Sequence, residues 1–232
     1  MENLSAAAET RFYLLKENKF NVESARKCWD FVCNEDCKIA ADADAQKDTR
    51  LADGIYLIDA FGNATVFAGD NTATHNETKY IGIIQGNHGV AVALHDAADG
   101  EYVTLTNAQD NGGGNYIKNH AKAVQDWCGV ANTVHLKAIG LNPDIKLEDS
   151  EYIPTLAELY LICLNREALN DALSYVGGDE IDADWYWTST VYSATNAWGL
   201  YLYDGYAYHN TKAASKGRVR PVSAFSPFYY MS

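Results

Sequence analysis

Residues 186 to 225 read YWTSTVYSATNAWGLYLYDGYAYHNTKAASKGRVRPVSAF, a stretch of strand and turn signals with no helical period. At its centre, WGLYLYDGYAYHN (198 to 210) places four tyrosines within eight positions, on both sides of Asp204-Gly205. Asp-Gly between alternating runs signals a two-residue type I′ hairpin, because both central positions then take positive φ. That register sets Tyr203 opposite Tyr206 and Tyr201 opposite Tyr208. Trp198, Leu200, Leu202 and Ala207 then share the other face, which has enough apolar surface to serve as the core side. Tyrosine beside Gly, Ser, Asn and Asp has the composition of a binding surface, combining rigid aromatic area with adaptable hydrogen bonding.

Upstream of this stretch the period is mixed. GIYLIDAFGNATVFAG reads as two short strands around Phe61-Gly62-Asn63, and KYIGIIQGNHGVAVALHDA as two more around residues 85 to 89. YIKNHAKAVQDWCGVAN carries Ile117, Ala121, Val124, Trp127 and Cys128 on one helical stripe. IPTLAELYLICLNREALNDALSYVGG is the clearest helix, with Pro154 in its first turn, a break near Asn165 and a stop at Gly177-Gly178. Strands followed by helices and then strands again make an α+β chain. Residues 1 to 49 read as a short helical and linker appendage suited to assembly, with Ala25, Cys28, Trp29 and Val32 at near-helical spacing. Residues 50 to 232 read as the main domain, within which the β-rich 50 to 107 part has the composition of a separate small module.

The charge narrows the choice of partner. The formal net charge is −13 over 232 residues, yet from Trp185 onward Lys212, Lys216, Arg218 and Arg220 face a single acid, Asp204. Residues 1 to 184 therefore carry about −16, which argues against nucleic acid, since phosphate binding needs a concentrated basic surface. The N-terminus has no basic leader and no apolar run long enough for a signal or a membrane span, so synthesis in the cytoplasm without membrane insertion is expected.

Catalytic and metal signals are weak. Cys28, Cys33, Cys37, Cys128 and Cys163 form no disulfide framework, and the first three have no usual zinc spacing. His88 and His95 sit in a turn and at a strand end with no partnering constellation. The glycine-rich NAQDNGGGNY at 107 to 116 lacks a phosphate-loop ending and reads as an ordinary loop. No cofactor and no metal are expected.

Several of these residues also carry a family resemblance. Tyr186, Trp187, Thr188, Ser189 and Thr190, then Asn196, Ala197 and Trp198, then Arg218, Val219, Arg220, Pro221 and Val222 resemble the C-terminal pattern of C-type lectin fold proteins. The branch is the one related to formylglycine-generating enzyme, which includes variable proteins of diversity-generating retroelements. IPTLAELYLI resembles that family's Leu-Pro-Ser-x-x-Glu-Leu helix. The similarity covers about 115 to 225 and implies a C-type lectin-like fold with two helices and a mostly antiparallel sheet.

In the retroelement members, rewriting of adenines in Asn codons cannot yield Lys, Glu, Gln, Met or Trp. The positions matching such sites are Gly199, Tyr201, Tyr203, Asp204, Tyr206, Tyr208, His209, Asn210, Thr211, Ala213, Ala214, Ser215 and Gly217, and none is of a forbidden type. The resemblance implies a non-enzymatic ligand-binding protein, a receptor-binding component of a phage tail contacting a host surface protein or glycan. The alternatives are a bacterial surface adhesin and a calcium-independent glycan-binding module. Family members include trimers, so a homo-oligomer is also implied. The enzymes of the branch use a late cysteine pair, and no cysteine follows Cys163. The Glu-Pro-Asn and Gln-Pro-Asp triplets of calcium-dependent lectins are absent too.

Overall fold

The computed structural model describes residues 50–69, 75–107 and 115–227. The appendage at 1 to 49, with Cys28, Cys33 and Cys37, and most of the glycine-rich loop lie outside the described residues. The described chain is α+β, and every strand pair in its two sheets is antiparallel.

The larger sheet has the order β2-β1-β3-β4-β9-β5. Its strands are β1 (Gly54–Asp59), β2 (Ala64–Val66), β3 (Thr78–Gln85), β4 (His88–Ala93), β5 (Glu151–Tyr152) and β9 (Val222–Ala224). Gln85 pairs with His88, so Gly86-Asn87 is a two-residue turn, and His88 opens β4 with its ring stacked 3.8 Å from that of Trp127. His95 is exposed and pairs with Asp179 at 2.9 Å. The C-terminal β9 lies between β4 and β5, so the 50 to 107 part shares one sheet with the far end of the chain.

Both faces of this sheet are covered. Leu57, Ile81, Ile83, Val90 and Val92 join the main core, while Tyr56, Ile58, Tyr80, Ile84, Ala91 and Ala93 form a second cluster with Leu51, Ala64 and Phe225. Burial on both faces explains why YIGII and VAVA read as apolar runs and do not alternate.

The smaller sheet, β6 (Trp185–Val191), β7 (Asn196–Tyr201) and β8 (Tyr206–Thr211), has the order β6-β7-β8. One of its faces contributes Tyr186, Trp198, Leu200 and Leu202 to the main core. Helices α3 (Leu156–Leu164) and α4 (Arg166–Val176) contribute Leu156, Leu159, Ile162, Leu169 and Leu173 to that same core. The opposite face packs Trp185, Trp187 and Val191 with Val103, Leu105, Leu136, Ile153 and Val219.

Two helix readings changed. The stripe from Ile117 to Cys128 is not one helix: α1 (His120–Ala123) is a single turn, and α2 (Gly129–Ile139) starts afresh. Asp126 accounts for the break, because its Oδ1 accepts the Cys128 N–H at 3.1 Å and its Oδ2 accepts from Asn132 Nδ2 at 2.8 Å. Local side-chain bonding of this kind competes with a continuing helix. The described residues therefore hold four helices where two were expected. The break at Asn165 and the stop at Gly177 are as read, with Gly177 at φ 78. Pro154 lies one residue before the N-cap, Thr155, which forms a capping box with Glu158.

Asp126 and Glu158 are both buried where α2, α3, β5 and β6 meet. Glu158 accepts from Tyr152 Oη at 2.8 Å and from the Thr155 N–H at 2.8 Å, and Thr190 Oγ1 donates to Asp126 Oδ2 at 2.7 Å. Burial, aided by the nearby Asp126 charge, outweighs these donors and pushes the Glu158 carboxyl up from 4.5 to about 7. Burial pushes Asp126 up as well.

A carboxyl whose folded pKa is raised binds more protons folded than unfolded between 4.5 and about 7. Its contribution to stability is fully present below the lower value and is lost as pH rises through the upper one. Glu158 therefore removes about 3 kcal/mol between pH 4.5 and 8. Urea unfolding of wild type and Glu158→Gln at both pH values checks this. The variant is expected to show a flatter dependence, whatever constant offset the lost acceptor introduces.

Candidate functional site: the tyrosine face of the small sheet

On one face of the small sheet, Trp185 lies opposite Tyr201 and Tyr201 opposite Tyr206. In the next row Trp187 lies opposite Gly199 and Gly199 opposite Tyr208. Exposure rises across these rows. Trp185 and Trp187 are buried, Tyr201 is 38% exposed, Tyr206 58% and Tyr208 47%, and Tyr203 in the turn reaches 68%. The β6 end of the face is core, fixed by a bond from Trp187 Nε1 to the Val103 carbonyl at 3.0 Å. The β7-β8 end is displayed.

The register differs from the one read in the sequence. Tyr201, not Tyr203, pairs with Tyr206, and residues 202 to 205 form a four-residue turn. A type I′ turn needs positive φ at both central residues, and here Gly205 takes it (φ 73) while Asp204 does not. The wider turn lets Leu202 point into the core. Its ends are gripped by Leu202 N–H on the Asp184 carbonyl (2.9 Å), Gly205 N–H on the Tyr201 carbonyl (2.9 Å) and Tyr160 Oη on the Gly205 carbonyl (3.0 Å). Asp204 Oδ1 accepts the Tyr206 N–H at 2.9 Å. The shift by two keeps all four tyrosines off the core side.

The thirteen sequence-read positions divide into three groups. Tyr201, Tyr203, Asp204, Tyr206, Tyr208 and Ala214 are exposed, and His209, Asn210, Thr211, Ala213 and Ser215 are half-buried. Gly199 and Gly217 are buried and are not surface positions. A Cβ on Gly199 would lie 2.3 Å from Trp185 Cζ2 and 2.7 Å from the Tyr186 carbonyl, and one on Gly217 would lie 2.5 Å from Trp185 Cδ1. Both glycines let backbone approach the Trp185 ring. A glycine inside a strand is the sequence signal for such an approach.

His209 lies across from Trp198, on the core-side face. Its ring stacks on Tyr192 at 3.7 Å, and Tyr208 lies near-parallel to it at 5.0 Å. Thr195 Oγ1 donates to Asn196 Oδ1 at 2.8 Å, which leaves Asn196 Nδ2 to donate to His209 Nδ1 at 3.1 Å. Tyr206 continues the series, its plane within 11° of that of Tyr208. The aromatic surface thus wraps the outer edge of β8 and takes in Tyr192, which the hairpin reading missed. Tyr102, 39% exposed, adds a ring beside Trp185's end of the sheet, with its hydroxyl on Asp184 and Arg218 over its ring.

Beneath this surface is a charged clamp. Arg220, fully buried, meets Asp96 Oδ1 through Nε at 2.6 Å and donates to the carbonyls of Ala93, Asp179 and Glu180. Arg218 bridges Asp96 Oδ2 (3.3 Å) and Asp182 Oδ2 (2.8 Å), and Tyr186 Oη donates to Asp96 Oδ2 at 3.0 Å. Burial pushes the Asp96 carboxyl up against the pull of both guanidiniums. The RVRPV motif thus ties β6 to the 93 to 100 loop, which makes it structural.

Among the described residues no group of three or more His, Cys, Asp or Glu is placed to share a metal ion, and no helix is long and apolar enough to cross a membrane. No known protein family profile matches the chain, and no curated protein matches it. Among solved structures it is similar to a fimbrial protein from Bacteroides ovatus, with a TM-score of 0.58 and 15% identity over 75% of this chain. The match covers 49% of that protein, so the chain spans about half its length, and the likeness is one of fold.

Proposed function

We propose that this chain is a non-enzymatic ligand-binding protein whose C-terminal hairpin displays a tyrosine-rich surface to a host protein or glycan. In this reading the fold is C-type lectin-like, and the hairpin is the variable region of a retroelement-type protein. The observation that carries the proposal is the concentration of exposed rings. Of the eight large hydrophobic residues exposed among those described, Tyr201, Tyr203, Tyr206 and Tyr208 lie on this one hairpin and Tyr102 lies nearby. Clustered exposed aromatics on a rigid sheet mark an interaction surface more than a structural one.

A phage tail is the proposed setting. The fold shared with a fimbrial protein motivates a second setting, a bacterial surface adhesin using the same face. Binding of the full chain to a glycan array and to intact bacterial cells, compared with the Tyr201→Ala/Tyr206→Ala/Tyr208→Ala variant, tests the common part. The variant is expected to lose at least tenfold in binding while its melting temperature stays within about 2 °C, because exposed rings contribute little to folding. Binding that survives all three substitutions contradicts the proposal. A near-repeat of the coding region beside a reverse transcriptase gene separates the diversified reading from the plain adhesin.

A further inference from the structure

The described residues present four sheet edges, and three are blunted. In the larger sheet the edge strands β2 and β5 have only three and two residues. In the smaller sheet the outer edge of β6 is taken up by the 217 to 218 segment, with Trp187 N–H on the Arg218 carbonyl at 2.9 Å and Arg218 N–H on the Trp185 carbonyl at 3.0 Å. The fourth edge, β8, is six residues long and pairs only with β7. Edge strands are ordinarily protected by Lys, Pro, a bulge or shortness, and YAYHNT has none of these.

The alternation of an antiparallel ladder identifies which groups point outward. The Thr211 carbonyl accepts from the Ala214 and Ser215 amides, outside the sheet. Residues two and four earlier, His209 and Ala207, turn their N–H and C=O the same way. No described backbone group bonds to either. Those four groups have Tyr206 and Tyr208 on one side and His209 with Tyr192 on the other.

Resting on the binding role proposed above, we infer that the partner is a protein presenting an extended segment, which adds to β8 as a fourth strand through Ala207 and His209. Main-chain bonds supply affinity in such pairing, and side chains lying against the flanking rings supply selection. The charges at the two ends of β8 set an order. Exposed Asp204 precedes the strand and exposed Lys216 follows it. An antiparallel segment with a base toward its C-terminus and an acid toward its N-terminus matches both. A second copy fits less well, since each chain carries a net charge of −13 and two copies repel.

A displayed library of random linear dodecapeptides, panned on the full chain, provides the probe. Enriched peptides are expected to show the stated charge order and to lose at least tenfold in affinity on Ala207→Pro. Proline removes the outward N–H and leaves the bonds to β7 intact. Ala207→Ser, which keeps the N–H, is expected to bind as wild type. Should Ala207→Pro fail to fold, amide exchange in the unaltered chain gives the same answer, with Ala207 and His209 exchanging fast when free and slowing when peptide is bound. Enriched peptides that bind Ala207→Pro undiminished overturn edge pairing, and if they still need Tyr206 and Tyr208 the tyrosine surface stands. Absence of any enriched peptide also overturns the inference, as does a dimer that Ala207→Pro dissociates. Indifference of every bound probe to both sets of variants overturns the binding role itself.

Discussion

Replacing Arg220 with Met is expected to lower stability by about 3–5 kcal/mol, read as a fall in the urea midpoint with little change in slope. The side chain is fully buried, so its aliphatic stem can be mimicked but its charge and five donors cannot. Its loss leaves Asp96 in a buried site with only Arg218 and Tyr186, and strands the carbonyls of Ala93, Asp179 and Glu180. A buried carboxyl left with one counter-charge at 3.3 Å and one hydroxyl, together with the stranded carbonyls, accounts for most of the cost, more than the loss of the attraction itself. The double variant Arg220→Met/Asp96→Asn is therefore expected to recover part of the loss. A strictly additive double variant contradicts the coupling.

Gly199→Ala is expected to cost about 3 kcal/mol, which for a chain of this size lowers the melting temperature by roughly 6–12 °C. The added methyl meets two ring atoms of Trp185 and a backbone carbonyl below 3 Å. The ring cannot yield, because its other edge rests on the backbone at Gly217. A backbone carbonyl inside a paired strand cannot yield without breaking the ladder. Small residues are otherwise benign in strands, so a loss of this size at a glycine lying amid tolerant neighbours distinguishes frame from display.

Much of the hairpin was legible because a strand's period is two: once Trp198, Leu200 and Ala207 are assigned to the core, the tyrosines follow onto the other side. The turn was not legible. Asp204-Gly205 satisfies the local rule for a two-residue loop, but the Cys163 thiol on the Leu202 carbonyl and the grip of Tyr160 and Asp184 are contacts across 18 residues or more, and they select the longer turn.

Gly199 and Gly217 were read as surface positions because the family pattern sets them among its variable sites, and nothing local tells a small residue on a surface from one beneath a tryptophan. The helix from Ile117 failed for a similar reason. Its apolar spacing is real, but Asp126 bonds locally to the Cys128 N–H, and the next helix begins only at Gly129. The placement of β9 between β4 and β5 depends on pairing Val222 with Val92 and Tyr152, separations that no local period encodes.

The central claim is that a fixed frame carries a tolerant surface. Saturation substitution at 199, 201, 203, 204, 206, 208, 210, 214 and 217, with Leu200 and Leu202 as references, measures it when folded protein is read on a display platform by protease resistance. The account predicts broad tolerance at Tyr201, Tyr203, Asp204, Tyr206, Tyr208, Asn210 and Ala214, and rejection at Gly199 and Gly217 as severe as at the two leucines. Tyrosines as intolerant as Leu200 and Leu202 would contradict it, for the rings would then hold the fold together and leave nothing on display.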